Sequence, residues 1–221
     1  MSRSRTLLGV VVTLLSSLAL AEGAWFETGT LTAVIDGEER LLRTFGTLVA
    51  ADVADGVEDA QQRALLERVA GTEQHTATHK LVEGMTLGGI VLTPPTLWVV
   101  LTFHHDASGA AGPHDVTLQF PLDPTTLELS DPDQVEIKYF PNGSSYDDFY
   151  ALTDGALSLT AVEVVDDVTL RVRGAFAGVL THQTSFDLVH DPDTAIAVEA
   201  GFVVERVVGS QLVLETLQGA D

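Results

Sequence analysis

Histidine and aspartate residues flank a loop of small residues in the stretch LTFHHDASGAAGPHDVTLQF, residues 101–120. His105 comes before the loop and His114 after it, and imidazoles are common ligands of zinc and copper. If the two residues stand opposite each other on paired strands, their β-carbons are about 4.5–5.5 Å apart. With Asp106 as a third ligand, they predict a zinc or copper site. The alternative is that both histidines close the rim of a core, with their polar edges in water.

A second pair belongs to the same hairpin. Consecutive strand residues point to opposite faces, so the rings of His104 and His105 cannot share one ion unless a bulge intervenes. We expect His104 and Asp115 to form an exposed cross-strand ion pair, which contributes under about 1 kcal/mol. One register gives the opposite face only apolar pairs: Leu97 with Leu122, Val99 with Phe120, Leu101 with Leu118 and Phe103 with Val116.

All three tyrosines of the chain fall in the stretch YFPNGSSYDDFYALTDG, residues 139–155. Aromatic rings stack on the apolar face of a sugar, and carboxylates and amides beside them bond its hydroxyl groups. The stretch therefore predicts a surface for a carbohydrate or protein ligand, formed by Tyr139, Asn142, Tyr146, Asp147 and Tyr150. The alternative is that the rings seal this loop onto the sheet, each hydroxyl finding a partner there.

Two other groups of residues could bind metal ions. His75 and His79 have the i, i+4 spacing of zinc ligands on a helix, but the threonines around them favour extended chain. In a strand the two would lie about 13 Å apart, too far to share an ion. Asp-Pro occurs at residues 123–124, 131–132 and 191–192, where we expect turns. Calcium is a weaker alternative there, because the later ligands of an EF-hand loop are missing.

The sequence contains no recognisable catalytic motif. There is no GxSxG, GxxxxGK or HExxH, and no GxGxxG follows a predicted strand. The chain has no cysteine, which excludes disulfides, thiol nucleophiles and thiolate metal sites. We therefore predict a protein that is not an enzyme; the alternative is a hydrolase whose catalytic residues are dispersed along the chain.

The elements that must position these residues are mainly β-strands. Segments rich in Val, Leu, Thr and Phe run for six to ten residues and end in Gly, Pro, Asp or Asn. The predicted strands are Glu27–Ile35, Arg40–Val49, Thr86–Thr93, Leu97–His105, Asp115–Leu122, Val135–Phe140, Leu157–Val165, Thr169–Leu180, Ala195–Val208 and Leu212–Leu217. The predicted fold is all-β: an antiparallel β-sandwich or flattened barrel of about ten strands with one short amphipathic helix.

The helix is predicted near residues 56–70. Asp55 as N-cap and Glu58 three residues later resemble a capping box, and Gly71 can end the helix. Asp36-Gly37 is a tight-hairpin dipeptide, because both residues tolerate positive φ.

The first residues have the order of a secretory signal peptide. Arg3 and Arg5 precede an apolar run from Leu7 to Leu20, and small residues follow at 19–21. We predict cleavage after residue 21, so that residues 22–221 form a single β-rich exported domain. The apolar run is shorter than the roughly 20 residues that span a bilayer, so we expect no membrane span after cleavage. Export without disulfides fits the bacterial periplasm or the surrounding medium better than a eukaryotic secretory route.

The chain is strongly acidic, with 32 acidic and 11 basic residues and a formal net charge of −21 at pH 7. Such a surface repels phosphate backbones, so we do not expect nucleic acid as a partner. The sequence as a whole predicts an exported, acidic, non-enzymatic binding or structural module of the bacterial envelope or medium. The alternative is an exported zinc- or copper-binding protein that uses His105 and His114.

Overall fold

The computed structural model describes residues 25–58, 60–106, 112–143, 148–183 and 190–209. Among them it places twelve strands, the α-helix α1 at Ala60–Val69 and a short 3-10 helix at Pro132–Gln134. The strands are β1 Trp25–Ile35, β2 Glu38–Leu48, β3 Glu73–His75, β4 Ala77–Val82, β5 Met85–Leu87, β6 Ile90–Thr93, β7 Thr96–Phe103, β8 Asp115–Leu122, β9 Glu136–Phe140, β10 Phe149–Asp166, β11 Thr169–Gln183 and β12 His190–Val208. The predicted all-β fold with one short helix is confirmed.

Ten strands form one sheet, in the order β11-β10-β9-β8-β7-β4-β12-β1-β2-β3, and β11 also pairs with β12. Because β11 closes the ring of strands, the sheet folds back into the predicted flattened barrel. The named strands pair antiparallel except at one parallel bridge, between Val208 of β12 and Thr78 of β4. Strands β5 and β6 form a separate two-stranded hairpin.

Strand β12 has two successive partners along one edge, and this change of partner leaves β2 free to pack over the histidine hairpin. One edge of β12 pairs with β1 at residues 198–204 and then with β4 at Val208. Strand β2, the partner of β1, crosses to the end of β7, where Arg43 and His104 exchange two backbone hydrogen bonds of 2.8 and 2.9 Å. Strand β2 therefore covers the outer face of the histidine hairpin.

The core lies between the two walls of the barrel and is lined by alternate residues of β7 and β8. The predicted register of these strands is confirmed for all four apolar pairs, from Leu97 with Leu122 to Phe103 with Val116. Across the core, the rings of Phe103 and Phe202 lie 6.1 Å apart. Each such buried side chain contributes about 1.5–3 kcal/mol, so this face fixes the register of the hairpin.

The helix begins later than predicted. It starts at Ala60, and the Asp55 N–H donates to the carbonyl of Asp52 in a preceding turn, so the predicted N-cap is wrong. Gly71 has φ +70° directly after the helix, as its predicted end requires. No helix in the described part of the chain is long and apolar enough to cross a membrane.

The turn at Asp36-Gly37 is confirmed, since both residues have positive φ and join β1 to β2. The predicted strand Thr86–Thr93 is wrong, because Gly88 and Gly89 both have positive φ and make it a hairpin. Strands β3 and β4 were not predicted as strands. The predicted signal peptide and the predicted strand Leu212–Leu217 lie outside the described residues.

The three predicted Asp-Pro turns are confirmed. The Asp123 carboxylate accepts hydrogen bonds from the N–H groups of Thr125 and Thr126, and Asp131 caps the 3-10 helix. The third, at residues 191–192, forms a turn inside β12: the Asp191 carboxylate accepts from the Asp193 N–H at 3.0 Å, and the pairing with β11 shifts register there.

Candidate functional site

The histidine hairpin separates into the two predicted pairs. The His104 Nδ1 lies 2.9 Å from Oδ2 of Asp115, and the rings of His105 and His114 lie 5.8 Å apart on the other side. The adjacent imidazoles of 104 and 105 therefore point apart, as extended backbone requires.

The His104–Asp115 pair is buried, so the expectation of an exposed pair was wrong. Its residues are 6% and 1% exposed, because β2 crosses over them and places the Phe45 ring 6.4 Å from the imidazole. The carboxylate also accepts from the backbone N–H groups of Gly112, at 3.0 Å, and His105, at 3.4 Å. These bonds tie the two ends of the loop together, which is a structural role.

His114 packs against Tyr139, which joins the hairpin to the tyrosine stretch. The two rings lie 6.1 Å apart at an angle of 14°, and the tyrosine hydroxyl is 2.7 Å from Nδ1 of His114. Partial burial lowers the pKa of His114 below 6.5, and the charges of Arg40 and His105 lower it further. The imidazole is therefore mainly neutral at pH 7, and its Nδ1 can accept a hydrogen bond from the hydroxyl group of Tyr139.

The predicted metal site has two imidazoles close together. His105 is exposed and His114 is half-buried, and the Nε2 atom of His114 is not used by Tyr139. In the described residues, no group of three histidine or acidic side chains is arranged to hold a metal ion. The prediction of zinc or copper therefore rests on the two histidines, without Asp106 grouped beside them.

Aromatic side chains form a continuous row that begins at His114, just before β8, and crosses β9, β10 and β11. Tyr139 and Tyr150 are cross-strand partners on β9 and β10, with ring centres 6.2 Å apart. Tyr150 and His182 are partners on β10 and β11, with ring centres 5.5 Å apart. We call His114, Tyr139, Tyr150 and His182 the aromatic row. Two of the predicted ligand-binding residues, Tyr139 and Tyr150, are at its centre.

A carboxylate and an amide lie at one end of the aromatic row. Asp148 accepts hydrogen bonds from Nε2 of His182, at 2.7 Å, and from Nδ2 of Asn142, at 2.9 Å. The bonds from Asn142 and then from His182 lower the pKa of Asp148, so its carboxylate is ionised at neutral pH. Asn142, another of the predicted ligand-binding residues, thus lies near the two tyrosines, while Tyr146 and Asp147 lie outside the described residues.

The two tyrosines of the aromatic row and the β1–β2 turn border a cleft of about 340 Å³. Tyr139, Tyr150, Asn142 and Asp148 line one side. Three charged residues of the turn and β2 line the other: Asp36, Glu38 and Arg40.

The guanidinium of Arg40 is largely enclosed in this wall. Its side chain is only 14% exposed and lies 2.5 Å from the carboxylate of Glu38. The Nε atom of Arg40 is buried and has no hydrogen-bond partner among the described residues. The cleft therefore combines aromatic surface, hydrogen-bond acceptors and one cation in a small space.

The stretch that predicts the ligand surface includes Asp148, an aspartate beside the tyrosines and thus a usable signal. Three other residues in or beside the cleft were not identified from the sequence. His182 is 34 positions from Asp148, and nothing in their spacing links them. Asp36 was recognised only as a turn residue, and Arg40 only as the start of a predicted strand. Comparison of the chain with models of protein families, with curated proteins and with solved structures found no match.

Proposed function

We propose that this protein is an exported, non-enzymatic binding module whose cleft takes a small neutral polyhydroxyl ligand, such as one or two sugar units. The cleft supports this proposal because the half-buried ring of Tyr150 meets three carboxylates, an amide and a guanidinium there. Tyr139 lines the same wall, but its ring is only 5% exposed and its hydroxyl bonds His114, as the packing alternative predicts. Rings can lie against the apolar face of a sugar while the polar groups bond its hydroxyls.

The size of the cleft fits such a ligand. Small-molecule sites commonly have volumes of about 300–1,000 Å³, and this cleft lies at the lower end of that range. A sugar unit fits into it, whereas a folded partner would contact only its rim.

The charge of the cleft favours a neutral ligand over an anion. Its wall carries the carboxylates of Asp36, Glu38 and Asp148 against the single guanidinium of Arg40, within a chain of net charge −21. Phosphorylated or acidic sugars would meet an unfavourable potential there. Neutral hydroxyl groups can donate to the carboxylates and accept from Arg40 and Asn142.

Export is the setting we propose for this binding. The basic start, apolar run and small residues within 1–21 have the order of a signal peptide, and the chain has no cysteine. A carbohydrate ligand of the bacterial envelope or medium is consistent with that location.

The proposal is tested on an array of neutral oligosaccharides probed with the wild-type protein and two variants. Tyr150→Ala removes a ring from the cleft wall and is expected to weaken binding at least tenfold. His105→Ala removes an exposed ring outside the cleft and should bind like the wild type. No binding on the array, or equal binding by Tyr150→Ala, contradicts the proposal.

The 5.8 Å between the rings of His105 and His114 favours a second candidate function, the binding of zinc or copper. Titration calorimetry with each metal should then give one ion per chain, and His105→Ala should abolish the binding. His182→Ala, which removes an imidazole at the other end of the aromatic row, is the matched control. A wild-type protein that binds no ion stoichiometrically rules this candidate out.

A further inference from the structure

The hairpin of β5 and β6 presents large apolar side chains to solvent. Gly88 and Gly89, at φ +59° and +83°, form its two-residue turn. We call residues 85–93 the apolar finger. Five of its side chains are 50–70% exposed: Met85, Leu87, Ile90, Val91 and Leu92. None of these five belongs to the hydrophobic core of the barrel.

Exposure increases toward the tip of the apolar finger. It rises from 42% at Val82, where β4 leaves the barrel, to 70% at Leu87 beside the turn. No charged residue occurs anywhere from residue 84 to residue 103, although the chain has 43 acidic and basic residues. An exposed apolar cluster of this kind is typical of an interaction site.

Both faces of the apolar finger are apolar at its tip. Leu87 and Ile90 are cross-strand partners on one face, and Val91 pairs with Thr86 on the other. A protein partner packs against one face of a two-stranded hairpin and leaves the other in water. An apolar medium can surround both faces.

Area and charge argue against a second copy of the chain as the occupant. Five side chains with this exposure offer roughly 500 Å², still less than the about 800 Å² that a stable protein interface buries on each partner. Two chains of net charge −21 also repel each other. Neither constraint applies to an uncharged lipid surface, where binding scales with the apolar area inserted.

We infer that the tip of the apolar finger inserts into the surface of a zwitterionic lipid bilayer. Each strand of the finger has three or four residues, so at about 3.3 Å per residue it reaches roughly 10 Å from its base. That reach matches the depth of about 5–10 Å to which interfacial segments enter a bilayer. The inference is independent of the cleft and its ligand.

Flotation of the full chain with phosphatidylcholine vesicles tests this inference. The wild type is expected to float with these vesicles and to float less with phosphatidylglycerol vesicles at low salt, because the acidic chain is repelled from anionic lipid. The double variant Leu87→Ser/Ile90→Ser should lose at least tenfold in vesicle affinity, since both side chains lie at the tip. Both residues are exposed, so the barrel should stay folded.

The matched control is Val164→Ser/Val165→Ser, which removes two exposed apolar side chains from β10. It should bind vesicles like the wild type. Absence of wild-type flotation overturns the inference, as does equal loss in the control. So does a concentration-dependent dimer that the Leu87→Ser/Ile90→Ser variant abolishes in sedimentation equilibrium, because the finger would then bind a second copy.

Discussion

The hydroxyl of Tyr139 lies 2.7 Å from Nδ1 of His114, so the histidine hairpin and the tyrosine stretch share a hydrogen bond. The sequence indicates these as two separate candidate sites. In the folded chain they are neighbours, because β8 and β9 are adjacent strands that pair Val116 with Tyr139. Tyr139 and Tyr150, at the centre of the row of rings that results, line one wall of the cleft.

Removal of the Tyr139 hydroxyl tests the strength of this link. Tyr139→Phe is expected to lower the free energy of unfolding by about 1 kcal/mol, because one hydrogen bond of a buried ring is lost. Tyr150→Phe, at a half-buried position, is the control and should change it by less than about 0.5 kcal/mol. Urea unfolding at pH 7.5 measures both, and equal effects would show that the bond to His114 contributes nothing.

The buried His104–Asp115 hydrogen bond is expected to matter more than an exposed ion pair. Asp115→Ala leaves the His104 ring and two backbone N–H groups without their acceptor, so we expect a loss of about 3 kcal/mol in unfolding free energy. Glu163→Ala breaks an exposed 3.0 Å pair with Arg171 and should cost under about 1 kcal/mol. Urea midpoints compare the two. A cost for Asp115→Ala no larger than that for Glu163→Ala contradicts a structural role for the buried pair.

Two buried histidines predict a loss of stability in mild acid. Burial lowers the pKa of His79 below 6.5, although the bond from its Nε2 to the carbonyl of Val168 opposes the shift, and burial likewise lowers the pKa of His75. The unfolded chain therefore binds protons before the folded one. Their contribution to stability is complete above about pH 6.5 and is lost as the pH falls toward the folded pKa values.

The variant His79→Phe isolates one of these contributions. It keeps a ring beside Gly209, and the carbonyl of Val168 still accepts from the Gly209 N–H at 2.8 Å. Urea midpoints between pH 7.5 and pH 5 should fall less steeply for His79→Phe than for the wild type. His105→Ala, at an exposed position, should leave the slope unchanged. If the pH dependence of the urea midpoint is the same in His79→Phe as in the wild type, groups other than His79 cause the loss of stability in acid.

Two glycines face each other where β10 and β11 pair, and we expect the stability of the fold to depend on glycine at both positions. Gly155 and Gly178 have φ +146° and +159°, and a β-carbon on Gly178 would lie 2.1 Å from the carbonyl oxygen of Asp154. Gly178→Ala should therefore destabilise the fold by about 2 kcal/mol or more. Gly201→Ala, in β12, meets no atom within 4 Å and should be nearly neutral. Thermal unfolding compares them; similar values contradict the steric argument.

The features that were predictable from the sequence are local ones. The register of β7 with β8 follows from the alternation that ends at Phe103 and Val116, and the turn at Asp36-Gly37 follows from residues that tolerate positive φ. The split of the two histidine pairs follows from extended backbone alone.

The features that were not predictable depend on distant parts of the chain. His104 is buried because Phe45 on β2 crosses over it, and no pattern near residue 104 encodes that crossing. His182 joins Asp148 because β11 follows β10 in the sheet, a neighbour relation set by the whole fold. Residues 86–93 are predicted as one strand because they are rich in Leu, Ile, Val and Thr, although Gly88 and Gly89 lie in the middle.

The central claim is that the cleft binds a neutral sugar, and nuclear magnetic resonance tests it most directly. Isotope-labelled protein is titrated with neutral disaccharides, and amide shifts are mapped onto the sequence. We expect saturable shifts at residues 36–40, at 139–142 and at 148–150, with little change in the apolar finger. Spectra that stay unchanged at millimolar sugar, or that change only away from these three segments, contradict the claim.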